Sequence, residues 1–363
     1  MSDYYISQIR PDDKPANRQL DLLLSSEGIR RDANLDYTCG MFDEEMNLVA
    51  AGSCFGNTLR CLAVDRCHQG EGFMNQIMTH LMEIQVSRGN THLFLYTKSS
   101  SARFFADLGF YEIARTDGQV VFMENRKNGF SSYLHRLSGE SGESGRASSQ
   151  ERCAALVMNA NPFTLGHLYL TERASAENDT VHLFMVSEDA SLIPFKVRRR
   201  LITEGTSHLD NIIYHDSGPY IISSATFPSY FQKDMDAVIE SHAKLDLVIF
   251  TKIAHALGIG RRYVGEEPHS RVTGIYNQIM EKELPKAGIQ CSVIPRRQQD
   301  GAAISASTVR RAIKENHMEL LPSLVPASTL RYLLSREAAP DGAYYDRAVV
   351  PGYLCTGYYY VYT

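Results

Sequence analysis

The sequence predicts an α/β protein of two domains, in which a domain with a mixed sheet precedes a domain with a parallel sheet. From Arg152 onward, short apolar runs alternate with segments of helical periodicity, which is typical of a parallel sheet with helices on both faces. Residues 138–150 are rich in Ser and Gly, as flexible linkers are. We therefore assign residues 1–137 to the first domain, 151–337 to the second, and 338–363 to a tail of unknown role.

The composition is that of an ordinary globular protein and argues against several classes of partner. The 37 basic and 42 acidic residues give a net charge of −5, so we expect no nucleic-acid partner. No apolar run approaches the roughly 20 residues of a membrane span, and Met1 to Pro11 lack the apolar core of a signal peptide. The seven cysteines show no Cys-x-x-Cys spacing, which favours reduced thiols over a zinc site. We expect a cytoplasmic protein without a membrane partner.

The first domain is predicted to be a succession of strands interrupted by two helices. The predicted strands are Tyr37 to Phe42, Leu48 to Phe55, Thr58 to Val64, His92 to Thr97 and Val120 to Asn125. The helices are predicted at Phe73 to Arg88 and Ser101 to Leu108. Two glycines, Gly70 and Gly72, precede the longer helix, where unpaired backbone N–H groups are able to bind phosphate.

This first pattern resembles GNAT-type acetyltransferases. The family's pyrophosphate loop fits Gln69, Gly70, Glu71, Gly72 and Phe73, and a later element of the family fits Ala102, Phe105, Gly109 and Phe110. The resemblance implies a GNAT-like fold whose loop from Gln69 to Phe73 binds a coenzyme A-like group. Met74 stands where the family has a small residue. Because no residue in this half presents itself as a catalytic base, we expect binding of that group rather than acetyl transfer to an amine.

The second domain is predicted to be a parallel sheet. The predicted strands are Cys153 to Met158, Val181 to Ser187, Asn211 to Tyr214, Leu245 to Phe250, Arg262 to Val264 and Cys291 to Ile294. The helices are predicted near residues 166–177, 195–208, 231–243, 252–258, 272–283 and 307–316. Ligands of such sheets bind at the carboxyl ends of the strands, and His167, Ser187 and Gly265 each fall at or just past such an end.

Two helix starts in the second domain have the character of anion sites. After the first strand, Asn159, Asn161 and Pro162 form a turn, and a helix opens near Gly166. Its first N–H groups lack partners within the helix, and its dipole is positive there. Thr164 adds a hydroxyl, and His167 adds a ring donor that can also carry charge.

The second of these starts is the stretch Ile304-Ser305-Ala306-Ser307-Thr308-Val309-Arg310-Arg311. Its serines precede a helix that carries arginines in its first turns, which is again a capped helix start facing an anion. Two such sites in one domain suggest a polyphosphate bound from both ends.

Together the two stretches resemble the HxGH/ISxSxxR nucleotidyltransferases, which implies a Rossmann-like nucleotidyltransferase domain. The string Asn-Ala-Asn-Pro-Phe-Thr-Leu-Gly-His, from Asn159 to His167, resembles citrate lyase ligases more specifically. Two later strings, Val264-Gly265-Glu266-Glu267-Pro268 and Val272-Thr273-x-x-Tyr276-Asn277, do so too. The resemblance covers roughly Tyr37 to Ser335.

The resemblance implies a ligase that acetylates the CoA-like thiol on the acyl carrier subunit of citrate lyase. The thiol belongs to a phosphoribosyl-dephospho-CoA arm. ATP and acetate would form acetyl-adenylate with Mg²⁺ as cofactor, and AMP and pyrophosphate would be released. No metal ligand is expected from the protein.

The resemblance also implies roles for particular residues. His167 and Thr164 would donate to the α-phosphate, and Lys196, Arg198, Ser307 and Arg310 would hold the β- and γ-phosphates. Alternatively, the basic residues from Lys196 to Arg200 form a helix face that is exposed to solvent. The remaining predicted ATP-binding residues are Asn159, Asn161, Pro162, Phe163, Gly166, Ser187, Gly265, Glu266, Ile304 and Ser305. Many members of the superfamily have histidine in place of Thr164, and threonine carries no charge, so more of the stabilisation must come from His167 and the basic cluster.

Two other functions fit parts of this pattern. One is a bifunctional enzyme that joins an acetyltransferase to a nucleotidyltransferase with a different acceptor. The other is a non-catalytic adaptor that senses nucleotide and binds a carrier protein. The strings typical of citrate lyase ligases disfavour the first. The donors His167, Lys196 and Arg310 disfavour the second, because a sensor has no need of groups that stabilise a transition state.

Overall fold

The structure, a computed structural model, describes residues 4–32, 34–116, 120–140, 152–187, 192–221, 235–267, 271–299 and 301–335. The chain divides into two compact units, one comprising Met1–Phe130 and Phe227–Val248 and the other comprising Ser131–Thr226 and Ile249–Thr363. The predicted linker 138–150 is wrong at its start, because Ser138 to Glu140 complete a helix. Residues 141–150 and the predicted tail lie outside the described residues.

The described part of the first unit contains a mixed sheet of seven strands. In chain order the strands are β1 (Tyr5–Gln8), β2 (Tyr37–Phe42), β3 (Leu48–Phe55), β4 (Thr58–Val64), β5 (Phe94–Lys98), β6 (Tyr111–Arg115) and β7 (Val120–Glu124). Their order across the sheet is β1-β2-β3-β4-β5-β7-β6. Every neighbouring pair is antiparallel except β4 and β5.

The helices of this unit pack their apolar stripes on the sheet. They are α1 (Lys14–Ser26), α2 (Phe73–Ser87) and α3 (Ala102–Asp107). The next helix, α4 (Gly129–Glu140), follows β7 and belongs to the second unit from Ser131 on. Short 3₁₀ turns occur at Arg66–His68 and Ser99–Ser101. Helix α2 buries Phe73, Ile77, Met78 and Leu81 in one core with β2 to β5, as its 3.6-residue periodicity predicts. The sequence analysis missed β1, α1, β6 and α4.

The described part of the second unit contains a parallel sheet of five strands. These are β8 (Cys153–Met158), β9 (Thr180–Met185), β10 (Ile212–Asp216), β11 (Arg261–Gly265) and β12 (Gln290–Ile294), in the order β10-β9-β8-β11-β12. All four neighbouring pairs are parallel. Two short strands, β13 (Gln298–Gln299) and β14 (Ala302–Ala303), pair as a hairpin. The strand β8 is buried along its whole length, which is why it reads as a continuous apolar run.

Helices follow the strands of this second sheet. They are α5 (Leu165–Glu177), α6 (Phe195–Gly205), α7 (Met235–Leu257), α8 (Arg271–Glu283), α9 (Ala306–Lys314) and α10 (Ala327–Leu333), with 3₁₀ turns at Leu284–Ala287 and Met318–Ser323. Of these, α7 is divided between the units, because its residues up to Val248 belong to the first. A core of apolar residues from β8, β9, α5, α6, α9 and α10 fills the space beside the sheet. The α/β class, with a mixed sheet followed by a parallel sheet, is confirmed.

One predicted strand is wrong. Leu245 to Phe250 lie inside α7, which joins the helices predicted at 231–243 and 252–258 into one. Leu245, Leu247, Ile249 and Phe250 are all buried. A helix that is buried on several sides shows no amphipathic period, so its apolar run looks like a buried strand.

Within the described residues, no helix combines the length and the apolar character needed to span a bilayer.

Candidate active site

A cleft of about 400 Å³ lies at the carboxyl ends of β8, β11 and β12. Its lining comes from four places: the start of α5, the end of β11, the turn after β12 and the start of α9. The lining residues are Thr164, Gly166, His167, Tyr169, Leu170, Gly265, Ile294, Pro295, Arg296, Arg297, Ile304, Ser305 and Ala306. The two motif regions, far apart in sequence, therefore line one cleft, as expected for a parallel α/β sheet.

The first turn of α5 is held by a reciprocal cap between Thr164 and His167. The Thr164 hydroxyl accepts the backbone N–H of His167 (3.3 Å), and the Nδ1 atom of His167 accepts the backbone N–H of Thr164 (3.0 Å). The hydroxyl also lies 2.8 Å from that Nδ1. Both residues are buried. The cap orders the helix start and also fixes the orientation of the imidazole.

The cap determines which imidazole nitrogen carries the proton. Because Nδ1 accepts a backbone N–H, a neutral ring must carry its proton on Nε2. Burial lowers the pKa of His167 from 6.5 to about 3, with further lowering from the charges of Arg296 and Arg310. The expectation that this histidine can carry charge is therefore wrong at neutral pH. His167 is a neutral Nε2–H donor, with the ring of Phe163 stacked at 5.9 Å between centroids.

The backbone donors expected at this helix start are largely occupied. The N–H of Leu165 donates to the carbonyl of Leu324 (2.9 Å), and that of His167 donates to Thr164. Within the described residues, the N–H of Gly166 has no such partner, and Gly166 lines the cleft. One backbone donor and one side-chain donor thus remain for an anion, fewer than the sequence predicts.

Gly166 brings the two motifs into contact. A Cβ atom at this position would lie 2.8 Å from the carbonyl oxygen of Ile304. Real Cβ atoms do not approach a backbone oxygen so closely, so a side chain here would separate α5 from the segment before α9. The side chain of Ile304 is buried in the core, which holds that carbonyl in place.

The turn between β8 and α5 is held by a buried arginine. Arg198 on α6 is 1% exposed, and its Nη1 donates to the carbonyl (2.8 Å) and the side chain (2.7 Å) of Asn159 and to the carbonyl of Val186 (2.9 Å). Its Nε donates to Ile193 (3.0 Å). The prediction that Arg198 faces the triphosphate is therefore wrong in this structure. A guanidinium buried this deeply needs acceptors for its N–H groups, and it finds them in backbone carbonyls.

The start of α9 joins the same turn from the other side. Ser305 caps the helix by accepting the N–H of Thr308 (3.0 Å). Arg310 donates from Nη1 to the carbonyl of Asn161 (2.5 Å) and from Nη2 to the hydroxyl of Ser307 (3.0 Å). The Arg310 charge also reaches His167, as the lowered pKa of that ring shows.

The predicted residues that do not line the cleft support it or lie apart from it. Asn161, before a cis peptide bond to Pro162, accepts the N–H of Ile193 (3.1 Å) through its side chain. Phe163 is in the core. Ser187 bonds to Ser217 and Gly218 at the end of β10. Lys196 is exposed on the first turn of α6.

Sequence reasoning missed Arg296. It follows the carboxyl end of β12, donates from Nε to the carbonyl of Glu266 (2.6 Å), and pairs through Nη2 with the carboxylate of Glu267. Its side chain is 11% exposed and lines the cleft. A signal was present, because the Pro-Arg-Arg run directly follows a predicted strand at the ligand edge. Glu266 has an exposed side chain, so its contribution comes through its backbone.

The predicted loop of the first unit has a different construction. Gly70 and Gly72 have φ of +94° and +80°, and space is open around each. Gln69 and Glu71 are exposed, whereas the ring of Phe73 is buried against Tyr4 at 4.5 Å. Helix α2 begins at Phe73 with no side-chain cap. The N–H groups of its first turn thus have no side-chain cap beside this open loop.

The strands beside this loop separate. The parallel pairing of β4 and β5 consists of Thr58 with Phe94 and Leu59 with Leu95, at the start of both strands. Because no further pairs form towards Val64 and Lys98, the strands diverge at the end where the glycine loop begins. An extended ligand could be held between them through backbone groups.

Comparison with known proteins shows which family this chain resembles. The profile described as citrate lyase ligase C-terminal domain matches residues 153–333. The [citrate [pro-3S]-lyase] ligase of Klebsiella pneumoniae is 36% identical over 89% of this chain and 94% of its own length. The corresponding ligase of Haemophilus influenzae is 37% identical over 85% of this chain and 92% of its own.

Among solved structures, an acetyltransferase of the GNAT family from Staphylococcus aureus matches 34% of this chain and 98% of its own, with a TM-score of 0.30 and 14% identity. The matches to whole relatives span both units and nearly their full lengths. The chain belongs to the citrate lyase ligase family of enzymes.

Proposed function

We propose that this protein uses ATP and acetate to acetylate the CoA-like thiol carried by the acyl carrier subunit of citrate lyase, and so activates that enzyme. The neutral, buried His167 carries the proposal, because its Nε2–H donor stands at a helix start where the charges of Arg296 and Arg310 both lower its pKa. That arrangement suits an α-phosphate on which negative charge develops. The names of the relatives support the acceptor enzyme.

The first step forms acetyl-adenylate. A carboxylate oxygen of acetate bonds to the α-phosphorus of ATP while the bond from that phosphorus to the bridging oxygen breaks, and pyrophosphate leaves with the electron pair. Charge increases on the oxygens around the α-phosphorus. Donors that are already oriented stabilise such charge better than water does. His167, held by the Thr164 cap, is oriented before substrate binds.

The other groups divide the remaining charge. Arg310 and Ser307, on the first turns of α9, and the exposed Lys196 would hold the β- and γ-phosphates. Thr164 and Arg198 act as positioning residues, because their polar atoms are engaged within the protein. Gly166, Gly265 and Ser305 line the cleft and leave space for the nucleotide.

Mg²⁺ would enter this site together with the triphosphate. The described residues contain no cluster of three or more His, Cys, Asp or Glu side chains that could bind a metal. When bound, the ion would supply positive charge beside the triphosphate. The protein supplies the fixed donors and the orientation.

The second step transfers the acetyl group. The thiol sulfur bonds to the acyl carbon, AMP leaves with the electrons of the carbon–oxygen bond, and the thiol proton is released to solvent. The loop from Gln69 to Phe73, with its uncapped helix start and diverging strands, would hold the phosphates of the CoA-like arm. No covalent intermediate on the protein is required.

Acetate-dependent exchange of labelled pyrophosphate into ATP tests the first step. The wild-type protein should catalyse exchange only with acetate and Mg²⁺, and His167→Ala should lower the rate by about 10²–10³-fold, the effect of removing one fixed donor. His208→Ala is a matched control, because His208 is exposed and pairs with Glu172 away from the cleft.

Two results would contradict the proposal. Measurable ATP binding without exchange, for acetate and for other small carboxylates, would exclude an adenylate and favour another acceptor or a nucleotide sensor. Exchange in the wild-type protein that His167→Ala leaves unchanged would place the chemistry elsewhere.

A further inference from the structure

Arg296 offers the cleft one edge of its guanidinium. The Nε atom donates to the Glu266 carbonyl, and Nη2 pairs with Glu267, so the other edge of the group, Nη1 with the second N–H of Nη2, points away from these partners. Among the described residues, nothing bonds to Nη1. Because Arg296 lines the cleft, this edge is the part of the guanidinium that is left for a ligand there.

The charge on Arg296 is balanced by one carboxylate before any substrate binds. Glu267 is 8% exposed and forms an ion pair with Arg296. A polyphosphate bound here would bring several negative charges close to the Glu267 carboxylate, and in a partly buried site that repulsion is costly. A ligand with a single negative charge meets much less repulsion. The pair therefore favours a monoanion over a triphosphate.

The walls beside Arg296 are apolar. Ile294, Pro295 and Leu170 line the same cleft as Arg296 and His167. A planar guanidinium edge matches a carboxylate through two parallel N–H···O bonds. Apolar side chains next to it suit a short alkyl group. The combination fits a small aliphatic carboxylate.

We infer that Arg296 binds the carboxylate of the acid substrate and orients it towards the α-phosphorus, with Glu266 and Glu267 fixing the guanidinium. The inference rests on the proposed function, since it assigns the acid site of that reaction. The triphosphate would then be held by Arg310 and Ser307 on the first turns of α9. One guanidinium serves each of the two anionic substrates.

The first test separates acid binding from nucleotide binding. In the exchange assay, Arg296→Gln should raise the KM for acetate about 10- to 100-fold, the effect of losing a charged hydrogen bond, with less than a threefold change in the KM for ATP. Arg296→Lys keeps the charge but loses the bidentate edge, and should lie between the two. Arg311→Gln, an exposed arginine of α9, is the matched control and should change neither constant.

A second variant guards against misfolding. Arg296→Gln removes the ion pair of the buried Glu267 carboxylate, so the double variant Arg296→Gln/Glu267→Gln removes both charges of that pair. Binding of a fluorescent ATP analogue reports whether the nucleotide site is intact. The double variant should bind the analogue as the wild type does and should keep the weak affinity for acetate.

Binding of ¹³C-acetate, measured by saturation-transfer NMR with a non-hydrolysable ATP analogue, distinguishes the two ways of failing. Acetate that binds the wild type but not Arg296→Gln supports the assignment even if exchange is absent and the proposed reaction fails. Exchange in the wild type with a raised KM for ATP alone in Arg296→Gln would make Arg296 a phosphate ligand. Unchanged acetate binding in both variants would also overturn the assignment.

Discussion

Each unit contains a junction at which a strand leads through a loop into a helix. The two junctions differ in which groups are available as hydrogen-bond donors. Before α2, Gly70 and Gly72 are exposed with left-handed φ, and no side chain caps the helix. Before α5, Thr164 and His167 cap each other, and Leu165 bonds to Leu324. The first junction offers backbone N–H groups to a ligand. At the second junction most backbone N–H groups are already hydrogen-bonded within the protein, and an oriented side chain is the available donor instead.

The difference follows from what each ligand requires. Backbone donors bind phosphate without adding charge or reacting, which suits a group that is only held. A reacting phosphorus needs a donor aimed at one atom, and the capped His167 would suit that role in the proposed reaction. The sequence motifs alone made both helix starts look like backbone anion sites. The structure distinguishes them by their donors, which are backbone N–H groups before α2 and an oriented side chain at α5.

The largest effect on this comparison should come from Gly166→Ala. The new Cβ would lie 2.8 Å from the Ile304 carbonyl and force α5 away from the segment before α9. We expect a stability loss of about 1–3 kcal/mol and, because a shift of about 1 Å misplaces reacting groups, a rate loss of about 10²-fold. Urea unfolding and pyrophosphate exchange measure the two effects.

The matched control is Gly260→Ala, a position where an added Cβ meets nothing within 4 Å and no left-handed φ is required. It should change neither stability nor exchange by a measurable amount. If Gly166→Ala behaved in the same way, the two motifs would not depend on this contact.

A smaller effect should come from the cap. Thr164→Val removes the hydroxyl that accepts from His167 and contacts its Nδ1. We expect a loss of about 1 kcal/mol in the free energy of unfolding, together with a lower kcat because the ring is less well oriented. Thr164→Ser keeps the hydroxyl and should restore both. A serine variant as impaired as the valine variant would show that the methyl group, rather than the cap, matters.

The smallest effect concerns pH. The folded pKa of His167 is lowered from 6.5 to about 3 by burial and by Arg296 and Arg310. Folding therefore favours the neutral ring, so the stabilisation is fully present above about pH 6.5 and is lost as pH falls towards 3. Between pH 7 and 8 we expect no titration of this ring.

Ring ¹⁵N chemical shifts of His167 should stay those of the neutral Nε2–H form from pH 8 down to pH 5. His182 has a similarly lowered pKa of about 3, so it adds to the loss of stability in acid and must be assigned separately. His167→Gln should reduce, without abolishing, the dependence of unfolding on pH below 6.5. A His167 ring that titrates near pH 6.5 would contradict the burial and the fixed tautomer.

The sequence predicted the strands and helices around the site better than the hydrogen bonds within it. The runs that became β8 and β9 were recognisable because buried parallel strands are short, largely apolar and followed by turns. The segment Leu245 to Phe250 has the same appearance but belongs to a buried helix. Local pattern does not distinguish these cases, because the tertiary environment decides between them.

The roles of individual arginines were beyond the sequence for another reason. Arg198 and Arg296 are both basic residues near the ligand edge of the sheet, yet the first is enclosed by carbonyls and the second lines the cleft. Which of the two arginines lines the cleft depends on where the fold places backbone carbonyls that are distant in sequence. His167 was predicted as a donor, but its neutral state depends on burial, which a motif does not report.

The contact of Gly166 with Ile304 has a consequence for how the enzyme is made. On a ribosome the chain emerges from its amino terminus, so the helix with His167 is synthesised long before the carbonyl against which it packs. Until the segment at Ile304 and α9 arrive, the cleft lacks one wall and Arg310. A nascent or prematurely terminated chain thus has the first helix of the site without its closing segment, and the proposed reaction with ATP requires that synthesis has passed α9.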